Sequence, residues 1–403
     1  MAVGLKPASN LTPIDGVRIG TAEAGVRYSG RTDLALVELA PNSTCASTFT
    51  QSAFAAAPVL VSKEHLLATA TRYWLINSGN ANAATGDLGV ADARATCKIV
   101  ADAGGVSPES VLPFSTGVIG ERMPLSAFAD GVPQAMAALE HDGWLAGAHA
   151  IMTTDTVPKG ASRAVTLSGG TVHVTGIVKG SGMIRPDMAT MLAFAATDAV
   201  IADATLKRLL RTAVEHSFNR VTVDGDTSTN DACVLAATGA SGIVIESDAD
   251  VSAMQSALNG LALELAQAMI RDGEGASKFV SVIVEQGRDI DECLAVAYTI
   301  AHSPLVKTAL FASDPNWGRI VMAIGRAGVT ALEVEGVNVF LGDVCIVQGG
   351  GAAASYTEAA GQAIMDREDI TIRVELGRGD AAETVWTSDL SHDYVTINAE
   401  YRT

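Results

Sequence analysis

Basic residues are scarce in this 403-residue sequence. Lys and Arg together number 27, against 45 Asp and Glu, so the formal net charge is −18 at neutral pH. A chain with this charge repels the phosphates of nucleic acids and of anionic lipid surfaces. We therefore expect neither a nucleic acid nor a membrane surface as a partner.

Cysteine is also scarce, and the five cysteines stand singly, with no CxxC pair and no Cys/His cluster. Zinc sites and disulfide frameworks need such clusters, so we predict no metal site and buried free thiols in a reducing compartment. Residues 1–19 lack the apolar centre of a signal peptide. The uncharged stretch 43–62 includes Ser, Thr, Gln and Pro, which favours a packed segment over a membrane span. These features predict a cytoplasmic protein.

Common catalytic motifs are missing. The sequence has no Gly-x-Ser-x-Gly elbow, no His-Glu-x-x-His and no Walker loop, and none of the seven histidines lies in a recognised catalytic motif. The acidic loop 223–231 lacks the spacing and the terminal Glu of an EF-hand, so a turn or a pocket wall is preferred to a metal site. Hydroxyls, amides and a few charges in glycine-rich loops remain for chemistry.

The order of apolar patterns predicts an α/β fold with two domains, for which the chain is long enough. We place the boundary between residues 284 and 285, which leaves a first domain 1–284 and a strand-rich second domain 285–403. Helical periodicity covers 90–103, 125–139, 144–152, 203–214, 251–271, 290–301 and 353–365. Strand patterns cover 17–19, 33–37, 48–61, 73–77, 164–167, 171–175, 279–284, 337–341, 344–347, 370–376, 385–387 and 395–398. The turn residues at 168–170 predict a hairpin between the strands 164–167 and 171–175, and the alternation over 370–376 predicts a strand with one wet face. In the helix 203–214, five apolar residues predict one buried face: Leu206, Leu209, Leu210, Ala213 and Val214.

One loop, Lys179–Leu192, separates a strand pattern from a buried apolar run. Gly180 and Gly182 permit backbone angles that other residues resist, and Pro186 fixes its own φ. The loop leads to Thr190, which is either the ordinary first residue of a strand or a placed hydroxyl. A Thr hydroxyl needs a base to act as a nucleophile. Cleavage of the bond before Thr190 would supply an α-amino group with an ordinary pKa of about 7.7–8.0.

The sequence resembles the ornithine acetyltransferases, also called glutamate N-acetyltransferases, nearly from end to end. The loop ending in Met-Ala-Thr-Met-Leu is similar to the self-cleavage motif of that family. Any one further segment is weak evidence, but the ordered series is strong. The segments are Asn77-Ser-Gly-Asn-Ala-Asn-Ala, Ser115-Thr-Gly-Val-Ile-Gly, Ile151-Met-Thr-Thr-Asp-Thr, Val223-Asp-Gly-Asp-Thr-Ser-Thr-Asn-Asp, Asp272-Gly-Glu-Gly-Ala, Ser303-Pro-Leu-Val-Lys-Thr, Asp314-Pro-Asn-Trp-Gly-Arg and Tyr394-Val-Thr-Ile-Asn-Ala-Glu-Tyr-Arg-Thr.

The resemblance implies a self-cleaving enzyme with an N-terminal nucleophile. The Thr190 hydroxyl would attack the Ala189 carbonyl and water would open the resulting ester, leaving an α chain 1–189 and a β chain that starts at 190. Thr190 would then take the acetyl group of N-acetylornithine and pass it to glutamate, which is ping-pong covalent catalysis. The implied pathway is arginine biosynthesis.

The resemblance also assigns roles to individual positions. Thr116 and Gly117 match the oxyanion hole of the family, although without the family the same pair reads as an ordinary turn. Lys179 suits a substrate carboxylate and Glu274 an ammonium group. The plainer interpretations are a solvated residue after a helix for Glu274 and a disordered terminus for Thr403. The substrate-contacting positions are Thr153, Lys179, Thr190, Glu274, Asn398 and Thr403.

The fold implied by the resemblance is the layered α/β fold shared by ornithine acetyltransferases and the L-aminopeptidase/D-esterase group, assembled as an α2β2 heterotetramer. No cofactor is implied, and family members differ in whether they accept acetyl-CoA as a substrate. Arg185 replaces the smaller or acidic residues of many relatives, which leaves open a different amino-acid substrate in specialised metabolism. Two rival functions also stay open: an amidase or aminopeptidase that hands the acyl group to water, and a non-catalytic protein that retains the fold.

The cleavage hypothesis predicts the mass of the purified protein. Intact-mass analysis should find two fragments, the heavier beginning Thr-Met-Leu-Ala-Phe, because cutting before Thr190 frees that end. The Thr190→Ala variant should stay one chain. An active wild type that remains uncut, or a Thr190→Ala variant that is cut and active, would refute the hypothesis.

Overall fold

The computed structural model of the protein describes residues 2–185 and 191–400. In this part of the chain the helices are α1 (Ala57–Ala68), α2 (Gly86–Gly104), α3 (Leu125–Ala137), α4 (Trp144–Ala150), α5 (Asp203–Glu215), α6 (Asp248–Arg271), α7 (Ile290–Ala301), α8 (Pro304–Phe311), α9 (Trp317–Gly325), α10 (Glu358–Met365) and α11 (His392–Ala399). The strands are β1 (Val17–Ala22), β2 (Leu34–Leu39), β3 (Thr44–Phe49), β4 (Tyr73–Asn77), β5 (Val111–Ser115), β6 (Lys159–Leu167), β7 (Gly170–Lys179), β8 (Leu192–Thr197), β9 (Val221–Thr222), β10 (Ala232–Ala237), β11 (Phe279–Gly287), β12 (Asn338–Leu341), β13 (Val344–Gln348), β14 (Gly351–Ala352), β15 (Asp369–Glu375) and β16 (Ala381–Ser388).

The chain divides into two compact units. The larger unit contains Pro7–Asn219 and Asp226–Met269, and the smaller contains Met1–Lys6, Arg220–Gly225 and Ile270–Thr403. The boundary predicted between 284 and 285 would cut β11. The sequence shows strand patterns but not which strands share a sheet, and β11 lies within one sheet along its whole length.

The larger unit contains two sheets with the strand orders β1-β2-β4-β5 and β3-β10-β8-β7-β6. Alternate residues of β2 and β4 point to opposite faces, as the period of a strand requires. Val37 and Trp74 belong to the core shared with the second sheet, where Phe194 of β8 lies. Leu36 and Leu75 belong to a separate core on the other face. Both faces of the first sheet are therefore buried, and its strands read as continuous apolar runs.

Helices form the outer layers of the larger unit. Cys97 of α2 and Phe128 of α3 are buried in the core on the outer face of the four-stranded sheet. On the five-stranded sheet, α5 and α6 line an apolar cavity together with β8 and β10. The five apolar residues that predicted the buried face of α5 are all buried. The unit is thus layered helix, sheet, sheet, helix, which confirms the predicted α/β class.

The smaller unit is built on one sheet with the order β14-β13-β12-β15-β11-β16-β9. Ile370, Ile372 and Val374 of β15 are buried in a core that also receives residues of α7, α9 and α10. The alternate residues of β15 are partly exposed, including Arg373, which pairs with Glu285 at 2.6 Å. The prediction that this strand has one wet face is confirmed.

The predicted hairpin is confirmed, with β6 and β7 paired through Leu167 and Gly170. Two strand predictions are wrong. Within 48–61, the strand β3 ends at Phe49 and α1 begins at Ala57, because Pro58 stands at the first helical turn. Residues 395–398 lie in α11, where the Ser391 hydroxyl accepts a hydrogen bond from the Tyr394 N–H and caps the helix. This local cap outweighs the strand preference of the β-branched residues in α11.

Among the described residues, no single helix is long and apolar enough to cross a membrane. The adjacent helices α7 and α8 together meet the length and composition test, with a bend of 57° between them.

The core between the two sheets predicts a large effect of a single truncation. The Phe194 ring is fully buried, and its centroid lies 5.1 Å from that of the Phe114 ring and 5.7 Å from that of the Trp74 ring. Phe194→Ala should lower the free energy of unfolding by about 3–5 kcal/mol, because it leaves a cavity at this contact. The matched control is Phe54→Ala, at a side chain that is 74% exposed. Urea unfolding measures both, and equal losses would contradict the assigned core.

Candidate active site

The turn that follows β5 carries the two residues predicted to form an oxyanion hole. Gly117 has a φ of 133°, and a Cβ there would lie 2.2 Å from the Gly79 carbonyl carbon. Only glycine fits such an approach of two backbones. The Thr116 N–H donates to the Asn77 carbonyl at 3.0 Å, and the Val118 N–H donates to the Gly79 carbonyl at 3.1 Å. Thr116 and Gly117 are therefore held by the end of β4 and the loop that follows it.

Asparagine side chains fasten that loop to the local backbone. The Asn77 amide donates to the Asn80 carbonyl at 2.8 Å, and the Asn82 amide donates to the Gly89 carbonyl at 2.9 Å. The Asn230 amide donates to the carbonyls of Ala81 (2.6 Å) and Ser115 (2.9 Å). The Asn-rich loop is thus a turn closed by asparagine side chains.

Lys179, the last residue of β7, reaches the predicted oxyanion hole. Its side chain is buried, and Nζ donates to the Thr116 hydroxyl at 3.2 Å. β7 pairs with β8 through Lys179 and Leu192, so the two ends of the loop between these strands are neighbours in the sheet. The structure therefore brings together Thr116 and Lys179, which are 63 residues apart in the sequence.

Asp155 joins this group, although no role was predicted for it. Its Oδ1 accepts hydrogen bonds from Lys159 Nζ (2.7 Å) and the Gly180 N–H (2.8 Å), and its Oδ2 accepts one from the Thr153 N–H (2.9 Å). Burial alone would raise the pKa of Asp155, but the charges of Lys159 and Lys179, with these hydrogen bonds, hold the pKa well below its ordinary value. Asp155 is therefore a buried anion that contacts the predicted substrate residue Thr153. A signal was present in the sequence, because Asp155 lies within one of the matching segments.

Asp231 is the second carboxyl of this group that sequence reasoning missed. It is 3% exposed, and its Oδ2 has no hydrogen-bond partner among the residues that the structure describes. Burial raises the pKa of Asp231 well above its ordinary value, against the smaller effects of hydrogen bonds from Ser228 and the charge of Lys179. Burial therefore favours the neutral form of Asp231, whereas the charges of Lys159 and Lys179 favour the ionised form of Asp155.

The loop after Lys179 is described as far as Arg185. Gly180 has a φ of 156° and Met183 a φ of 56°, so the second unusual angle falls on Met183 and not on the predicted Gly182. Ile184 is buried and Arg185 is exposed. Ala189 and Thr190, the predicted cleavage pair and nucleophile, lie outside the described residues.

The smaller unit contains a separate group of predicted site residues. Glu274 is 7% exposed, so its interpretation as a solvated residue is wrong. Its Oε2 accepts a hydrogen bond from the Asn398 amide at 2.7 Å, and the same amide donates to the Tyr394 carbonyl at 2.9 Å. The Tyr394 hydroxyl in turn donates to Asp224 at 3.1 Å. Glu274 and Asn398 are thus in direct contact, while Thr403 lies outside the described residues.

The turn at Thr116 and Gly117, with Lys179 beside it, is compatible with acyl transfer. In the described ranges, no group of three or more His, Cys, Asp or Glu is placed to hold a metal ion. A hydroxyl and a backbone N–H on one turn, with an ammonium against the hydroxyl, can stabilise the oxyanion of a tetrahedral intermediate. The fold and the site define an α/β protein with groups arranged for acyl transfer.

Comparisons with known proteins agree with this class. The ArgJ family model matches residues 18–403. The chain is 52% identical to the arginine biosynthesis bifunctional protein ArgJ of Pseudomonas syringae pv. tomato over the full length of both chains. It is 55% identical to the ArgJ protein of Methylococcus capsulatus, over 98% of this chain and 97% of the relative. The chain belongs to the ArgJ family.

Two solved structures of related proteins are similar to parts of the chain. The arginine biosynthesis bifunctional protein ArgJ of Bacillus halodurans is 36% identical, with a TM-score of 0.49, over 52% of this chain and 98% of that one. The ornithine acetyltransferase of Mycobacterium tuberculosis, solved as a complex with ornithine, is 37% identical, with a TM-score of 0.41, over 44% of this chain and 94% of that one.

The buried Asp231 predicts a pH dependence of stability. Its folded pKa is raised, so above the unfolded value of about 3.9 the folded state binds a proton that the unfolded state has lost, and stability falls as pH rises. The free energy of unfolding should fall by about 1.4 kcal/mol per pH unit while the folded carboxyl stays protonated. Asp231→Asn has no such proton, so melting curves from pH 4.5 to 7 should show the variant gaining stability relative to the wild type. Parallel pH profiles would contradict a neutral Asp231.

Proposed function

We propose that the protein transfers an acetyl group from N-acetylornithine to glutamate through an acetyl ester on Thr190, after cleavage between Ala189 and Thr190. Membership of the ArgJ family assigns the chain to acetyl transfer in arginine biosynthesis. The route through Thr190 rests on the sequence motif and on the surrounding groups. The contact between Lys179 Nζ and the Thr116 hydroxyl at the Gly117 turn is the observation that supports it most directly.

Cleavage and transfer need the same few groups. The Thr190 hydroxyl attacks the Ala189 carbonyl, the C–N bond breaks, and the nitrogen takes the proton that the hydroxyl loses. Water then opens the ester, and the new α-amino group is the base for acetyl transfer. The Thr116 hydroxyl and the Gly117 N–H stabilise the negative charge on the acetyl oxygen as each tetrahedral intermediate forms.

Charged groups suit the two amino-acid substrates. The Lys179 ammonium is a cation with three donors, which matches a substrate carboxylate at the site that also contains Thr116. Thr153 adds a hydroxyl on the segment that Asp155 holds. In the smaller unit, buried Glu274 is contacted by the neutral amide of Asn398, and an ammonium of ornithine or glutamate would neutralise its charge. Thr403 completes the proposed contacts.

The remaining parts of the proposal concern assembly, location and substrate range. The cleaved chains form an α2β2 heterotetramer in the cytoplasm, and no cofactor is needed. Acetyl-CoA as a second acetyl donor would make N-acetylglutamate directly, which agrees with the word bifunctional in the names of the relatives. Arg185 is exposed, which favours the ordinary substrates over an altered pocket.

The transfer is tested by following both products of the acetyl group. Purified protein is mixed with N-acetylornithine alone, and intact mass should show one acetyl group on the chain that begins at Thr190. Glutamate should then remove that group and yield N-acetylglutamate in equal amount. Free acetate in place of N-acetylglutamate would identify a hydrolase, and the absence of an acetylated chain would exclude the covalent route.

The oxyanion role of Thr116 predicts a specific kinetic defect. Thr116→Ala should lower kcat about 10²–10³-fold, because one donor to the oxyanion is lost, with small changes in KM for either substrate. Thr116→Ser, which retains the hydroxyl, should recover most of the rate. The matched control is Thr166→Ala, at an exposed position of β6. An unchanged kcat in Thr116→Ala would remove Thr116 from the mechanism.

A further inference from the structure

Asp155 connects two segments of the candidate site in the larger unit, because it contacts both Thr153 and Gly180. Its side chain is 0% exposed, and that of its partner Lys159 is 1% exposed. Its three hydrogen bonds come from three different places: the Lys159 side chain, the backbone N–H of Thr153, and the backbone N–H of Gly180, which is the first residue after β7. A buried carboxylate with this many donors is fixed in place and stays ionised.

The contact of Lys179 with Thr116 decides which way the Thr116 hydroxyl points. An ammonium group can only donate hydrogen bonds, so the Thr116 oxygen is the acceptor in the 3.2 Å contact. The hydrogen of the hydroxyl must then be directed away from Lys179. A hydroxyl whose oxygen accepts from a cation is also polarised, which makes it a stronger donor to a developing negative charge.

We propose that Asp155 is a positioning residue for acetyl transfer, which holds Lys179 and the start of the following loop so that the Thr116 hydroxyl is kept as a hydrogen-bond donor to the oxyanion. Asp155 itself touches neither the substrate nor the reacting atoms. It acts through the charge of Lys179 and through Gly180, which follows Lys179 directly. This inference rests on the proposed function of Thr116.

The hydrogen bond between Gly180 and Asp155 links the carboxylate to the chain next to Lys179. Gly180 has a φ of 156° and no side chain that could anchor it, and a Cβ there would lie 3.0 Å from both Ile184 and Met269. The hydrogen bond from its N–H to Asp155 therefore restrains the direction of the chain after Lys179. Removal of the negative charge of Asp155 would also take from the buried Lys159 ammonium the carboxylate that it contacts at 2.7 Å.

A double-mutant cycle separates positioning from general structural support. Asp155→Asn retains the size of the side chain and removes its charge. In the wild-type background it should lower kcat about 10- to 100-fold, with KM for both substrates within about threefold. In the Thr116→Ala background the same change should cost less than about threefold, because the hydroxyl through which Asp155 acts is already gone. In the Thr116→Ser background, which retains the hydroxyl, Asp155→Asn should again lower kcat about 10- to 100-fold.

The matched control is Asp250→Asn, since Asp250 is also a buried carboxylate of the larger unit and accepts hydrogen bonds from Ser168 and Ser247. It should leave kcat unchanged. The inference would be overturned if Asp155→Asn lowered kcat by the same factor in the wild-type and Thr116→Ala backgrounds. It would also be overturned if Asp155→Asn left the kcat of the wild type unchanged. A folded Asp155→Asn chain that is never cut would also overturn it, by placing Asp155 in cleavage. Activity in Thr190→Ala would instead refute the proposed function itself, so the two failures are distinguishable.

Discussion

The pairing of Lys179 with Leu192 is the constraint on which the candidate site of the larger unit depends. These two residues are partners in the antiparallel ladder of β7 and β8, so the long connection between them starts and ends at neighbouring points of one sheet. Closing such a loop costs entropy, which the hydrogen bonds of the five-stranded sheet offset. The connection that contains the predicted cleavage site therefore begins and ends in one sheet, at Lys179 and Leu192.

Hydrogen bonds extend this constraint from one sheet to the other. The Met191 carbonyl accepts a hydrogen bond from the Ala232 N–H at 2.9 Å, so the start of β8 lies beside the start of β10. Asn230, two residues earlier, donates to the Ser115 carbonyl at the end of β5 in the four-stranded sheet. The next residue, Thr116, accepts a hydrogen bond from Lys179 Nζ at 3.2 Å, and Lys179 belongs to the five-stranded sheet. The two sheets are thus joined, at the ends of their strands, by a closed series of polar contacts.

The sequence was sufficient for the α/β class, the hairpin and the buried face of α5, because each follows from local periodicity. It failed for α11, where a capping serine and polar contacts of Asn398 and Tyr394 outweigh a β-branched run. The positions of the site came from the family resemblance and not from periodicity. Asp155 and Asp231 lie within segments that match the family, but neither was given a role, because the importance of each depends on burial and on partners such as Lys179 that no local pattern reveals.

The two missed carboxyls show how one cation can lie near groups of opposite protonation. The positive charge of Lys179 acts to lower the pKa of both carboxyls. The net shift is nevertheless downward for Asp155 and upward for Asp231. The difference arises from their other partners: Asp155 also has the Lys159 ammonium and backbone N–H donors, whereas one oxygen of Asp231 has no hydrogen-bond partner in the described ranges. A buried carboxyl ionises only where hydrogen bonds and cations replace the water it has lost. The second ammonium, that of Lys159, together with the backbone donors, therefore distinguishes the carboxyl that is a fixed anion from the one whose proton is favoured.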